Sequence, residues 1–422
     1  MARSSVSPGS SARRALRTVG LSLLALLLAA GGATGDQARS SALSRAERDF
    51  LERHWTRPIA PQGSPPARVS EVERSLAPES CGVCHPAQLA DWKTSLHAGA
   101  MGPGMAGQLV EMARSDPETA RECLSCHAPL AEQQPVIPGP KGLVANPRFD
   151  PALHRAGLVC AACHVRRHER FGPPRRDGSL VSEAPRSSLP HNGATRTPAF
   201  LRAEFCSSCH QFPPDGFALN GKLLQNTYAE WRASPAARQG LQCQDCHMPD
   251  RRHLWRGIHD PDMVKSGVEI SLVTDRPRYR PGQNLHATFT ITSRRVGHHF
   301  PTYVTPRVVI RAELVDGTGQ TVTGSVQEQA IAREVTLDLA REVADTRLPA
   351  GGRLAVSYRH RIERPDLRLR VTVTVHPDHF YTRFFESLLA SGAGAGERQI
   401  RDALEATRRS QFTLYQRDIP LS

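Results

Sequence analysis

Five times in this sequence two thiols stand three residues apart with an imidazole directly behind them: Cys81, Cys84 and His85; Cys123, Cys126 and His127; Cys160, Cys163 and His164; Cys206, Cys209 and His210; Cys243, Cys246 and His247. These motifs use every one of the 10 cysteines. Two thiols at this spacing can form thioethers to the two vinyl groups of one porphyrin, and the adjacent histidine then lies beneath the iron as its proximal ligand. The pattern predicts five covalently attached c-type haems.

Other uses of the same residues fit less well. Structural zinc needs four ligands per site and makes no demand for a histidine after each second cysteine. Five Cys-x-x-Cys pairs would also be an odd number of zinc half-sites. A disulfide framework places no constraint on the following residue. A thioredoxin-like pair is normally single and belongs to a βαβ pattern that is not found here.

A haem iron with two imidazoles has no place for a substrate, whereas one with a single imidazole can bind a small molecule. The second ligands must come from the histidines outside the motifs. His97 follows His85 on a predicted helix carrying Leu89, Trp92 and Leu96; twelve helical residues advance about 18 Å, so it should reach a neighbouring haem and not its own. His191 stands in the loop Leu189-Pro190-His191-Asn192-Gly193. His253 and His259 flank a glycine just after the fifth motif. His298, favoured over His299, sits in the turn Val296-Gly297-His298-His299-Phe300-Pro301, which could reach into the haem segment and lock two domains together. His97, His191, His253, His259 and His298 are therefore the expected distal ligands. His54, His154, His168, His376 and His379 are reserves, while His286 is expected in solvent and His360 partly buried. With ligands in this supply no haem is forced to stay open.

The elements that position these residues are legible in outline. Arg13, Arg14 and Arg17 precede an apolar run from Val19 to Ala30 and a small-residue stretch ending at Gly35, the layout of a cleaved secretory signal in residues 1–35. This places the mature chain in a periplasm, with no later stretch of transmembrane length. Residues 36–77 read as a short amphipathic helix, Leu43 to His54, and a proline-rich connector. The haem segment, 78–265, has motif spacings of 42, 37, 46 and 37 residues, too irregular for a solenoid repeat. Hydrophobic residues make up only 39% and aromatics 5% of the chain, so this segment is expected as short helices and loops wrapped on porphyrin discs.

From 266 to 377 apolar residues alternate with polar ones, as in Val268, Ile270 and Leu272 or Leu369, Val371, Val373 and Val375. Breakers such as Pro281-Gly282 and Gly351-Gly352 separate the runs, which predicts an antiparallel, immunoglobulin-like β-sandwich of about seven strands. Phe380, Tyr381, Phe384, Phe385, Leu388 and Leu389 return to helical spacing in a helical tail, 378–422. The fold class is thus α+β and multidomain.

The formal charge of +13 does not imply a nucleic-acid partner. The export segment supplies four of the 54 basic residues and no acid, leaving 50 against 41, or +9. Ten haem propionates would offset that excess.

Cys81-Gly82-Val83-Cys84-His85 followed by Trp92, Ser95, His97 and Ala98 resembles the multihaem cytochrome superfamily typified by cytochrome c-554, in which the attachment motif leads to a Trp-x-x-Ser-x-His-Ala helix. Cys243-Gln244-Asp245-Cys246-His247-Met248-Pro249 and Gly297-His298-His299-Phe300-Pro301-Thr302 are similar to segments of larger bacterial multihaem proteins with a C-terminal β domain. The likeness covers mainly residues 78–302. It implies closely stacked, mostly bis-histidine haems passing electrons among periplasmic redox partners, such as a membrane quinol oxidoreductase or a terminal reductase. The superfamily also contains nitrite- and hydroxylamine-converting enzymes, so the alternative is an oxidoreductase acting on a small nitrogen or sulfur compound at one open haem. An electron carrier is the first reading.

Overall fold

The computed structural model describes residues 42–67 and 69–422; the expected export segment lies outside them. The first helix, Arg45–His54, starts where its sequence dictates. Ser44 accepts from the backbone of Glu47, and Glu47 reaches back to the backbone of Ser44, a reciprocal cap that satisfies two otherwise orphaned donors.

The segment holding the five motifs is built of short pieces. Its longest helix, Pro103–Ser115, has 13 residues, and prolines at the first helical positions start many of the others (Pro86, Pro117, Pro151, Pro235). Buried apolar side chains gather in two small groups. One centres on Ile59, Trp92, Leu130, Leu153 and Val159, the other on Met101, Leu109 and Leu124. Neither approaches a conventional domain core.

The C-terminal half is different in kind. Seven strands fall within 268–376: β1 Val268–Thr274, β2 Asn284–Ser293, β3 Arg307–Val315, β4 Gln327–Val335, β5 Glu342–Asp345, β6 Arg353–Arg361 and β7 Arg368–His376. An eighth, β8, is Phe412–Pro420. They form two antiparallel sheets, ordered β5-β4-β3-β7-β8 and β6-β2-β1. Period-two alternation buries Leu285, Ala287, Phe289 and Ile291 from one sheet against Val308, Ile310, Leu369, Val371 and Val373 from the other, in a single core. His286 is exposed on the outer face, and His360 is half-buried.

The tail corrects the expectation of helix alone. Helices His379–Ser391 and Glu397–Arg409 are present, but the chain then returns to pair β8 along β7. The register shift between Val373 and Thr374 breaks the alternation that would have marked β8 as a strand. The two tail helices also lie on helix Pro103–Ser115, closely enough that a side-chain carbon on Gly104 would stand 2.7 Å from Phe385 and one on Gly107 2.8 Å from Ile400. Among the described residues no helix is long and apolar enough to cross a membrane.

A buried arginine joins the halves. Arg333 of β4 donates to the carbonyls of Leu219, Lys222 and Leu223 in a hairpin of the motif segment, and its Nε donates to Glu342 at 2.9 Å. It is 2% exposed.

Candidate functional site

Four motifs lie within helices, Pro117–His127, Cys160–His164, Glu204–His210 and Cys243–His247, while the first starts at the end of helix Pro78–Gly82, with Cys84 in the turn that follows and His85 just after it. A spacing of three turns both thiols to one helix face. All ten thiols are free. A cavity of about 2230 Å³, well beyond the volume a single small ligand requires, has in its wall the five motif histidines and every motif thiol but Cys123 and Cys126.

Thiols of different motifs touch. Cys81 lies against Cys160, Cys126 against Cys209 and Cys206 against Cys243. The first motif therefore lies beside the third, the second beside the fourth, and the fourth beside the fifth. Cys163 is near enough to Cys206 and Cys209 to act on them electrostatically, which brings the third motif to the fourth.

Four motif histidines face a second imidazole across the cavity. Ring centres are 6.2 Å apart for His85 and His191, 6.2 Å for His164 and His253, 6.4 Å for His210 and His97, and 6.2 Å for His247 and His298. A metal–imidazole bond is about 2.0 Å and a ring nitrogen lies about 1.2 Å from its ring centre, so two imidazoles sharing one metal stand about 6.4 Å apart. His376 and His379 have the same separation, 6.4 Å, but neither belongs to a motif or lines the cavity.

The second ring nitrogen settles which atom is offered. Nδ1 donates to a carbonyl in His127 (Ala100, 2.7 Å), His164 (Phe171, 2.8 Å) and His247 (Arg256, 2.6 Å), and to Tyr303 Oη in His210 (2.7 Å). Across the cavity, Nδ1 of His191 is bound to Glu73 at 2.7 Å, that of His253 to Arg251 O at 3.1 Å and that of His298 to His299 O at 2.8 Å. Each leaves Nε2 for an iron, with its tautomer and ring plane fixed by the partner behind it. Burial lowers the pKa of His97 to about 3, with His210 and His247 adding to the effect, and burial takes His164 and His210 down to about 4. Neutral imidazole is the form that ligates.

Specific contacts aim these rings. The helix Pro86–Lys93 stops before His97, contrary to the longer helix expected, because Ser95 turns its hydroxyl back to Trp92 O. Trp92 is pinned by its indole N–H to Leu158 O at 2.8 Å, and Leu158 N holds His97 O at 3.0 Å. Gly157, at φ +71°, permits this approach; a side-chain carbon there would stand 2.8 Å from His97 O. His191 lies at φ 60° and Asn192 at φ 52°, a left-handed excursion that projects the ring inward. Buried Asp91 receives two bonds from Arg252 and one from the backbone N of His253. Glu230, 2% exposed at its side chain, accepts from His299 N, Thr302 and Arg347, so the β2–β3 connection carrying His298 is tied to the motif segment. Burial opposes ionisation of Glu230, but hydrogen bonds from His299 and Thr302 and the charge of Arg347 hold its pKa below the ordinary value.

His259 departs from the expectation. Its Nε2 donates to Asp378 at 2.9 Å, and it faces none of the motif histidines. The carboxylate, contributed from beyond β7, takes Nε2, while Nδ1 is buried without a hydrogen-bond partner at the cavity wall. Of the reserves, His54 Nε2 donates to Cys163 O, His168 Nε2 to Gly63 O and His154 Nδ1 to Gln133 O, and none of the three lines the cavity. Glu73, Asp91, Glu230 and Tyr303 were not found from sequence, since each acts on a histidine through a contact 69 to 162 residues away and none carries a motif.

A family model described as cytochrome c554 and c-prime matches residues 80–164. The cytochrome c-554 of Nitrosomonas europaea is 26% identical over 141 residues, 31% of this chain and 55% of that relative, so the match spans little more than half of it. A penta-heme cytochrome c552 from Thermochromatium tepidum superposes with a TM-score of 0.58 at 17% identity, covering 83% of this chain and 100% of that one; at that identity the likeness is one of fold.

Proposed function

We propose that this chain, a multihaem c-type cytochrome, is a periplasmic electron carrier with one haem on each of its five motifs, four of them held between paired histidines. The observation that carries this reading is the set of four facing imidazole pairs at the spacing of a shared metal. Haem, when bound, supplies a one-electron iron couple. The chain's own residues do the rest. The ten cysteines anchor, and His85, His127, His164, His210 and His247 serve as proximal ligands. His191, His97, His253 and His298 close four spheres from the far side, and the carbonyls and carboxylate behind His191, His253 and His298 hold those ring planes still. The thiol contacts favour a branched path from the first motif through the third to the fourth, and from there to the second and the fifth. Cys84 and Cys246 are exposed, which suits the first and fifth motifs to exchange electrons with partner proteins such as a quinol oxidoreductase or a terminal reductase. The immunoglobulin-like reading of the C-terminal half belongs with this proposal; its role is to deliver His298.

Replacing His298 with alanine tests the assignment. One haem is expected to turn high-spin in the oxidised protein while the others keep their spectra; an unchanged spectrum removes His298 from the ligand set.

One observation favours a second reading at the second motif. The described residues include all 18 histidines of the chain, and among them none faces His127 as the four pairs do. Its haem would then present an open side for a small nitrogen or sulfur compound. Electron paramagnetic resonance of the oxidised protein decides: a high-spin signal that shifts with nitrite or nitric oxide supports it, and a wholly low-spin spectrum sinks it.

A further inference from the structure

We propose that Tyr303 sets the potential of the haem at the fourth motif, by giving the proximal imidazole of His210 a neutral phenol oxygen, a weaker acceptor than the backbone carbonyl that other motifs give, so that this haem lies above the carbonyl-backed ones and would rise further without the phenol. The inference rests on the reading of Cys206, Cys209 and His210 as a haem site.

The four proximal histidines whose Nδ1 partner is fixed divide three to one. His127, His164 and His247 donate to carbonyls, while His210 donates to Tyr303 Oη at 2.7 Å. A carbonyl is the stronger acceptor. The more strongly Nδ1–H is pulled, the more basic Nε2 becomes and the better the ferric iron is held. A phenol oxygen pulls less, so the ferrous state gains relative to the carbonyl sites. A phenol is uncharged near neutral pH, its ordinary pKa being about 10.

The placement of Tyr303 is also built. It belongs to the β2–β3 connection, where Arg347 donates to the carbonyl of Thr302 at 2.8 Å and the Thr302 hydroxyl donates to Glu230 at 2.6 Å. The same connection brings His298 to face His247. The β half would thus contribute an axial ligand to the fifth site and a tuning contact to the fourth. Tyr303 is a positioning residue, acting through His210 without touching iron.

The test is a spectroelectrochemical titration of the full-length, haem-loaded protein carrying Tyr303→Phe. One wave is expected to move to higher potential, with the other waves in place and that haem still low-spin. Because phenylalanine could disturb the loop, 3-fluorotyrosine placed at position 303 serves as the second variant. Its poorer acceptor oxygen should move the same wave in the same direction by less. If neither variant moves a wave, or if all waves shift equally, while the haem complement is intact, the proposal fails. A digest of the unaltered protein showing no haem on the Cys206–His210 peptide would instead overturn the haem assignment itself.

Discussion

The two halves of this chain bury their interiors by different means. In the C-terminal half Leu285, Ile291, Ile310, Leu314, Leu369 and Val373 fill the space between two sheets, so the polypeptide supplies its own core. In the motif half the apolar groups are small and scattered, and a cavity of about 2230 Å³ is walled by motif thiols and imidazoles. The contrast teaches that the motif half is specified jointly by sequence and cofactor, whereas the β half is specified by side-chain packing alone. A porphyrin disc brings the apolar area that leucines and valines provide elsewhere.

The largest expected effect comes from preventing haem attachment, by expressing the chain where cytochrome maturation is absent. Hydrogen exchange should then show protection lost across residues 78–265 and retained in the strands between 268 and 376. Protection kept in the motif half without haem would break the comparison.

The seam between the halves comes next. Arg333→Ala should cost about 3–5 kcal/mol, because three buried carbonyls would lose their donor and Glu342 would keep only Lys222 and Asn220. Thermal unfolding should show the two halves uncoupling; a melting temperature within a degree of the parent would contradict the role given to this residue. Within the β core alone, Leu369→Ala should cost about 2–5 kcal/mol and leave the haem absorption bands unchanged, since Leu369 is buried in the apolar core between the sheets.

Acid should loosen the same seam from another side. Lys222 of the motif half binds Asp345 at 2.6 Å and Glu342 at 2.7 Å. Burial pushes both carboxyls upward, but hydrogen bonds from Arg347 and Lys222 on Asp345, and from Lys222 and Arg333 on Glu342, hold both below the carboxylate range. Groups depressed on folding stabilise fully above the unfolded value of about 4 and lose that contribution as pH falls through the folded one. Stability of the seam, followed by denaturant titration, should therefore be flat from neutral pH to about 5 and fall below about 4. A loss already complete at pH 6 would assign the seam to other groups.

The smallest effect is a change of potential without a change of stability. Glu73→Gln removes the carboxylate behind His191, so the haem of the first motif should become easier to reduce while the melting curve of the β half stays where it was. A wave that stays put would separate Glu73 from the redox chemistry.

Much of this was legible in the residues themselves. The anchoring chemistry follows from motif spacing, and the seven strands within 268–376 follow from period-two alternation, because both signals are local. His97, His191, His253 and His298 stood out as histidines in helix-end or turn contexts. The pairing of each with a particular motif did not, since it depends on contacts such as Asp91 with His253 and Gly157 with His97 that span most of the motif half. The partner of His259 was hidden for the same reason: nothing near it in sequence announces Asp378. Strand β8 was hidden by the helices before it and by its displaced register on β7.

The account depends first on what the ten thiols carry, and intact mass answers that most directly. Protein from a host competent in cytochrome maturation should weigh five haems more than its mature polypeptide, with one modified peptide per motif after digestion. A colourless protein at the bare polypeptide mass would contradict the account.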